Sequence, residues 1–268
     1  MVPNEKSRQG PLQFAALWLE RSIDSSTGGS RANYSLVYNG LKGWSAPYPE
    51  TTGYIIPSFL KLANTSPQWA HLRDRAIRMG EWLLSIQFPD GAFPGNIYTP
   101  GKTQMRSVFN TGQIILGLSS LFDETKQVRF LSSSFKAAQW LAITQEPNGT
   151  WDKFNYVDGF SPSYYTRVAW PMLKVHRQSP NTEIESAAQK ALLEIQSRQM
   201  PNGFIEGSGF KPAGYAFLHT LDYTIRGFLE CALISGNEDW WNCGFRAADV
   251  LRRKFELSGK LCFIKKRG

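Results

Sequence analysis

Apolar positions three and four residues apart recur along this chain. Ala76, Met79, Leu83 and Ile86 form one such stripe, with polar residues filling the opposite side. That spacing predicts a helix with one face in water. Ala188, Ala191, Leu192 and Ile195 repeat the stripe, as do Ala248, Leu251 and Phe255. Phe135, Ala138, Leu141 and Ala142 follow it less cleanly, and residues 12–23 look like an earlier member. Between these lie stretches of a second kind, residues 52–63, 110–122, 164–176 and 219–235, with little charge along their middles. Thr111-Gly112-Gln113-Ile114-Ile115-Leu116-Gly117-Leu118 is typical, and its glycines permit close helix approach. A helix apolar nearly all round is a buried helix. Alternating strand patterns are almost missing beyond short segments such as Leu261-Cys262-Phe263-Ile264.

The two kinds of helix are joined by a phrase that repeats. Gln87-Phe88-Pro89-Asp90-Gly91-Ala92-Phe93 returns as Gln145-Glu146-Pro147-Asn148-Gly149-Thr150-Trp151 and as Gln199-Met200-Pro201-Asn202-Gly203-Phe204. A worn copy is Leu257-Ser258-Gly259-Lys260-Leu261. From Gly91 to Gly149, Gly203 and Gly259 the steps are 58, 54 and 56 residues. Pro presets φ and Gly accepts a positive φ, so each phrase stops one helix and starts a link to the next. The unit is an outer amphipathic helix, a turn, a polar-aromatic loop and an inner apolar helix. Each hairpin alone cannot bury its apolar face, whereas a stack of them makes a continuous core.

This helix, turn phrase, loop and inner helix resemble the α/α toroid superfamily of terpenoid cyclases, protein prenyltransferases and six-hairpin glycosidases, lyases and sugar epimerases. Pro49-Glu50-Thr51-Thr52-Gly53-Tyr54, Val108-Phe109-Asn110-Thr111-Gly112-Gln113 and Tyr165-Thr166-Arg167-Val168-Ala169-Trp170 look more specifically like bacterial toroid proteins found with surface polysaccharide biosynthesis. The resemblance implies an all-α toroid of antiparallel helical hairpins, a single domain over residues 1–268. The count reaches about four and a half hairpins, so the expected ring is incomplete and truncated at its C-terminus. A gap is expected between the hairpin of residues 12–63 and the helix of residues 247–255, with self-association through that open end.

Composition narrows the chemistry. Lys and Arg number 30 against 22 acidic residues, a net charge of +8, which suits an anionic partner or a solvated basic surface. No nucleic-acid motif accompanies it, so no nucleic-acid partner is expected. No stretch approaches the ~20 apolar residues that span a bilayer. The opening Met1-Val2-Pro3-Asn4-Glu5-Lys6 carries no signal pattern, which points to the cytoplasm. Cys231, Cys243 and Cys262 lack metal-ligand spacing and read as reduced thiols. No Asp-rich cyclase motif, no Asp-x-Cys and no Cys-His pair is present, and His71, His176 and His219 are dispersed. A metal enzyme or a cofactor is therefore not expected.

In the toroid fold the turn phrases, long loops and inner-helix starts gather at one mouth. On that placement the candidates are Glu50 and Tyr54; Arg106, Asn110 and Gln113; Tyr164, Tyr165 and Arg167; and His219, Asp222, Tyr223 and Arg226. Trp44, Tyr48, Asp158 and Glu206 are loop residues that would wall the same mouth. Converging helix N-termini and three arginines favour an anion. The aromatics offer flat faces to sugar rings, so an acidic saccharide is expected. His219, Asp222, Tyr165 and Glu50 are the catalytic candidates, while Trp44, Tyr48, Tyr54, Arg106, Asn110, Tyr164, Arg167 and Arg226 would bind substrate. Proton abstraction beside a carboxylate held by Arg gives epimerisation or β-elimination. A pair of carboxylates instead gives glycoside hydrolysis. A non-catalytic glycan-binding factor and a terpenoid cyclase-like protein are the alternatives. Each polar candidate also has a plainer role: Asn110 and Thr52 as helix caps, Arg167 and Arg226 as ion-pair partners, Asp90 in a local turn.

Overall fold

The computed structural model describes residues 5–36 and 43–259, with side chains from residue 10 onward. These residues form α1 (Glu5–Asp24), α2 (Pro49–Ala63), α3 (Leu72–Ile86), α4 (Val108–Thr125), α5 (Val128–Thr144), α6 (Thr166–Gln178), α7 (Thr182–Ser197), α8 (Leu218–Ser235) and α9 (Glu238–Ser258). Among the described residues there are isolated bridges but no strand. The segment Leu261–Ile264 and Cys262 lie outside them. No described helix is long and apolar enough to cross a membrane.

Helices α2, α4, α6 and α8 pack in series as an inner row. Helices α3, α5, α7 and α9 form the outer row, each against the inner helix before it. This is the predicted all-α toroid of antiparallel hairpins. Small residues set the inner spacing. A Cβ on Gly117 would lie 2.3 Å from the Gly53 carbonyl oxygen, and one on Gly227 would lie 2.4 Å from Thr166 Cβ. The predicted stripes face inward: Ala76, Met79, Leu83 and Ile86 on α3, and Ala188, Ala191, Leu192 and Ile195 on α7, are all buried.

The turn phrase works as a clasp between neighbouring hairpins. Gln87 Nε2 donates to Gly91 O at 2.9 Å and to Ser133 O of α5 at 3.1 Å. Gln145 does the same to Gly149 O and Ala187 O of α7, and Gln199 to Gly203 O and Cys243 O of α9. The three glycines have φ of 102°, 90° and 94°. Their α-carbons sit so close to the next outer helix that a Cβ would meet the carbonyls of Lys136, Lys190 and Arg246 at 2.4, 2.6 and 2.9 Å. Only glycine fits both the backbone angle and the space. Two residues on, Phe93, Trp151 and Ile205 plug the core. Gly28, after α1, belongs to the same series, since its Cβ would lie 3.2 Å from Arg78 O of α3.

At Gly259 the series changes. Its φ is 65°, but among the described residues nothing lies within 4 Å of a Cβ there. The stripe expected on α9 shifts for the same reason. Trp240, Cys243, Gly244 and Ala247 are its buried residues, whereas Phe255 is exposed, with no further helix against it among the described residues. Among the described residues α9 packs on α7 and α8 and α1 on α3, and no packed face joins α8 or α9 to α1 or α2.

Candidate functional site

Each inner helix begins just after a loop, so its first turn faces the same end as its neighbours' first turns. Helix α2 opens at Pro49, whose fixed φ suits a first helical position. Glu50 therefore sits in the first turn, and Tyr48 donates its hydroxyl to Glu50 Oε2 at 2.7 Å. Around that carboxyl stand Tyr54 one turn on, Tyr164 of the Ser163–Tyr165 3₁₀ turn, Tyr223 of α8 and Arg167 of α6, all close enough to feel its charge. Four hairpin elements thus converge on one acid.

The electrostatics follow from this enclosure. Burial raises the Glu50 carboxyl above the usual carboxylate range, against the opposing pull of the Tyr48 hydrogen bond and the Arg167 charge. Burial, with the negative charge of Glu50 next, pushes Tyr48, Tyr54 and Tyr164 above the ordinary phenol value, so their hydroxyls stay protonated donors. Burial lowers Arg167, followed by repulsion from Arg226, while Tyr223, Asp222 and Tyr54 oppose that.

Arg167 is the most constrained cation of the group, 5% exposed. Its Nε and Nη2 both donate to Gln113 Oε1, at 3.1 and 2.7 Å. Gln113 is fixed in turn by donating to the Arg167 carbonyl at 3.1 Å. The guanidinium lies 4.7 Å from the Tyr223 ring centre and 5.3 Å from that of Trp170. No carboxylate reaches ion-pair distance of Arg167 among the described residues, and its Nη1 makes no hydrogen bond there. Arg226 lies 5.3 Å over Trp170 and pairs with Glu230 at 3.5 Å.

Other candidates have different places. Tyr165, expected to be catalytic, is 2% exposed, donates to Asn155 Oδ1 at 2.7 Å and packs against Trp151, which makes it part of the core. Its neighbour Tyr164 is the one near Glu50. Arg106 pairs with Asp90 at 2.6 Å over the Phe88 ring, holding its own turn phrase rather than joining the cluster. Trp44 packs against Trp18 of α1 and Tyr34. Ser107, not Asn110, caps α4, and the buried Asn110 donates to Pro94 O at 3.1 Å while its amide also lies beside the Tyr48 hydroxyl, at the edge of the Glu50 cluster. Thr52 ties Ser30 to Tyr48. His219 and Asp222 are both exposed at the start of α8, and His219 meets the Tyr223 ring edge-on at 5.9 Å. Asp158 is exposed on its loop, and the Glu206 backbone N–H donates to Arg198 O at 3.2 Å. A depression of about 480 Å³ lies elsewhere, against α3, lined by Thr27, Arg78, Trp82 and Tyr98.

Sequence reasoning missed the aromatic setting. Phe109 stacks on Tyr165 and Tyr223, 6.1 and 5.9 Å away, and meets Tyr164 edge-on at 5.1 Å. Trp170 sits between the two arginines. Phe109 occupies an inner-helix start like the other candidates, and only its lack of a polar atom left it out. Among the described residues no group of acids, His and Cys could hold a metal ion. Cys231 and Cys243 are buried free thiols, and burial pushes Cys243 up to about 11.

No protein-family model matches the chain, and no curated protein matches it either. Solved structures do. A family 76 glycoside hydrolase, an α-mannanase from Bacteroides thetaiotaomicron, is similar at a TM-score of 0.66 and 12% identity, over 93% of this chain and 70% of that one. An unsaturated glucuronyl hydrolase specific for heparin gives 0.64 and 12%, over 89% and 65%. A cellobiose 2-epimerase from Bacillus thermoamylovorans gives 0.62 and 7%, over 77% and 60%. All are six-hairpin glycosidase-like α/α toroids; the likeness shows that this chain shares the α/α toroid fold, and the chain spans about two thirds of its neighbours' lengths.

Proposed function

We propose that this chain is a carbohydrate-active protein that binds an acidic saccharide at the Glu50–Arg167 cluster. One observation carries the reading: a buried arginine without a carboxylate partner faces a raised carboxyl and several protonated tyrosines. A sugar carboxylate would give Arg167 the charge it lacks. Tyr54 and Tyr164 would donate to sugar oxygens, as would Glu50 in its protonated form, which burial favours, and the ring faces would cover apolar sugar surface. The saccharide-acting neighbours support the sugar part of this reading, and the arginine supports the acidic part.

The chemistry this arrangement suits is proton transfer at the carbon beside the bound carboxylate. Arg167 would stabilise the charge that develops on that carboxylate. Glu50 would return a proton, and His219 or Asp222, at the rim, would take one up. Epimerisation and β-elimination share these steps. A non-catalytic glycan-binding role is the second reading, favoured by the exposure of both candidate bases. The charged centre speaks against a terpenoid-cyclase role. The exposed apolar side chains of α1 and α9, at the two ends of the described row, support self-association there.

The test is calorimetric titration with a uronate tetrasaccharide and its neutral counterpart. The uronate should bind, and Arg167→Met should weaken it about tenfold or more, roughly the 1.4 kcal/mol of a lost charged contact, while leaving the helical circular dichroism intact. Equal affinity for the two sugars, or none for either, would sink the proposal. Deuterium uptake beside the carboxylate separates the catalytic from the binding reading.

A further inference from the structure

The aromatic rings do not stop at the Glu50 cluster. Tyr223 meets His219 at 5.9 Å, and His219 meets Phe210 at 5.4 Å. Tyr164 meets Phe210 from the other side at 6.1 Å. Phe210 in turn meets Phe217 at 5.2 Å and Tyr156 at 6.2 Å. An unbroken run of rings therefore leads from beside the half-buried Glu50 to solvent. Its outer members come from the two loops that follow Trp151 and Ile205, and from the start of α8.

The exposure along this run is unusual for its composition. Tyr156 is 80% exposed and Phe210 38%, although each contacts another ring. A loop that needed these rings only for packing would bury them, because an aromatic side chain contributes mainly through buried area. Single exposed apolar residues are ordinary, but contiguous ones mark binding grooves. The rings on this run carry no fixed charge, whereas the inner end is charged. That gradient suits a ligand with one anionic unit held inside and further rings laid outward.

We infer that Tyr156, Phe210 and His219 form a distal binding platform for additional sugar units, so that the ligand is an oligomer or polymer rather than a single sugar. This rests on the saccharide reading of the Glu50–Arg167 cluster and adds its length requirement. Stacking of sugar faces on the outer rings would make affinity climb with chain length.

The experiment measures affinity for a uronate disaccharide and tetrasaccharide. In the native chain the tetrasaccharide should bind about tenfold tighter. Tyr156→Ala and Phe210→Ala should each bring the ratio of the two affinities toward one. Leu193→Ala, at an exposed position on α7, should leave that ratio as it is, and melting curves check that all three variants fold. A native ratio near one, or variants that keep the native ratio, would overturn the platform while the inner site stands. Failure of both sugars to bind would overturn the inner site, and the platform with it.

Discussion

Glu50 is held among phenols and one guanidinium, and its protonation state decides what it can do. The folded chain binds the Glu50 proton more tightly than the unfolded chain, because burial disfavours the charged form. The stability that goes with this is present below the ordinary carboxylate range and is lost as pH rises through the raised folded value. Glu50→Gln removes that loss. The variant should therefore gain melting temperature relative to the native chain at about pH 8 compared with about pH 4. A difference that does not depend on pH would show that Glu50 ionises normally. Glutamine keeps a donor at this point but cannot give up a proton. If the protein is an enzyme, the variant should retain saccharide affinity and lose turnover by about 10²–10⁴-fold. Native turnover should fall on the alkaline side as Glu50 deprotonates. At this scale the sequence was partly legible. Position at an inner-helix start pointed to Glu50, Tyr54, Tyr164 and Arg167, which the fold brings together. The same rule could not separate Tyr164 from Tyr165, since adjacent residues in a 3₁₀ turn point different ways. It also could not see that Arg106 turns back to Asp90, because that pairing depends on how the loop closes.

The clasp between hairpins is the element that makes the repeat a fold. Its glycine is asked for two things, a positive φ and an absent Cβ, and the series of turns separates them. Gly149 has both demands, with φ of 90° and a would-be contact of 2.6 Å to Lys190 O. Gly259 has the first alone among the described residues. Gly149→Ala should cost about 2–4 kcal/mol, through backbone strain plus displacement of α7. Gly259→Ala should cost only about 1 kcal/mol, the usual left-handed penalty. Chemical denaturation of both variants gives the comparison, and equal losses would mean that the turn does not dock on the next helix. The repeat phrase made the hairpins readable from the sequence, because turn chemistry and helical periodicity agree at every copy. The docking partner was not readable. Gln145 reaches Ala187, forty-two residues away, through a backbone carbonyl that any residue would supply.

Across the whole molecule, each clasp needs a following outer helix, and the row of described helices offers one at four turns but not at Gly259. The consequence is seen on α9. Trp241 and Phe245 lie one turn apart and are both exposed, Phe245 at 61%, with Phe255 and Leu257 further along. At the other end of the row, Leu12, Phe14 and Trp18 of α1 are exposed as well. Scattered residues such as Val128 and Ile143 on other helices need no such explanation. Large aromatic side chains bury about 150–250 Å² each when fully covered, so Trp241 and Phe245, at 44% and 61% exposure, leave roughly 200 Å² open together, and Phe255 and Leu257 add to the apolar surface of this helix. The isolated chain should therefore self-associate as its concentration rises, through a flank rather than through the Glu50 mouth. Sedimentation velocity over a concentration series measures this. Replacing Trp241 and Phe245 together by Gln should shift the chain toward monomer while saccharide affinity stays as in the native chain, because neither residue touches the cluster. A native chain that sediments as a monomer throughout the series would show that these flanks are tolerated in water and that nothing needs to cover them.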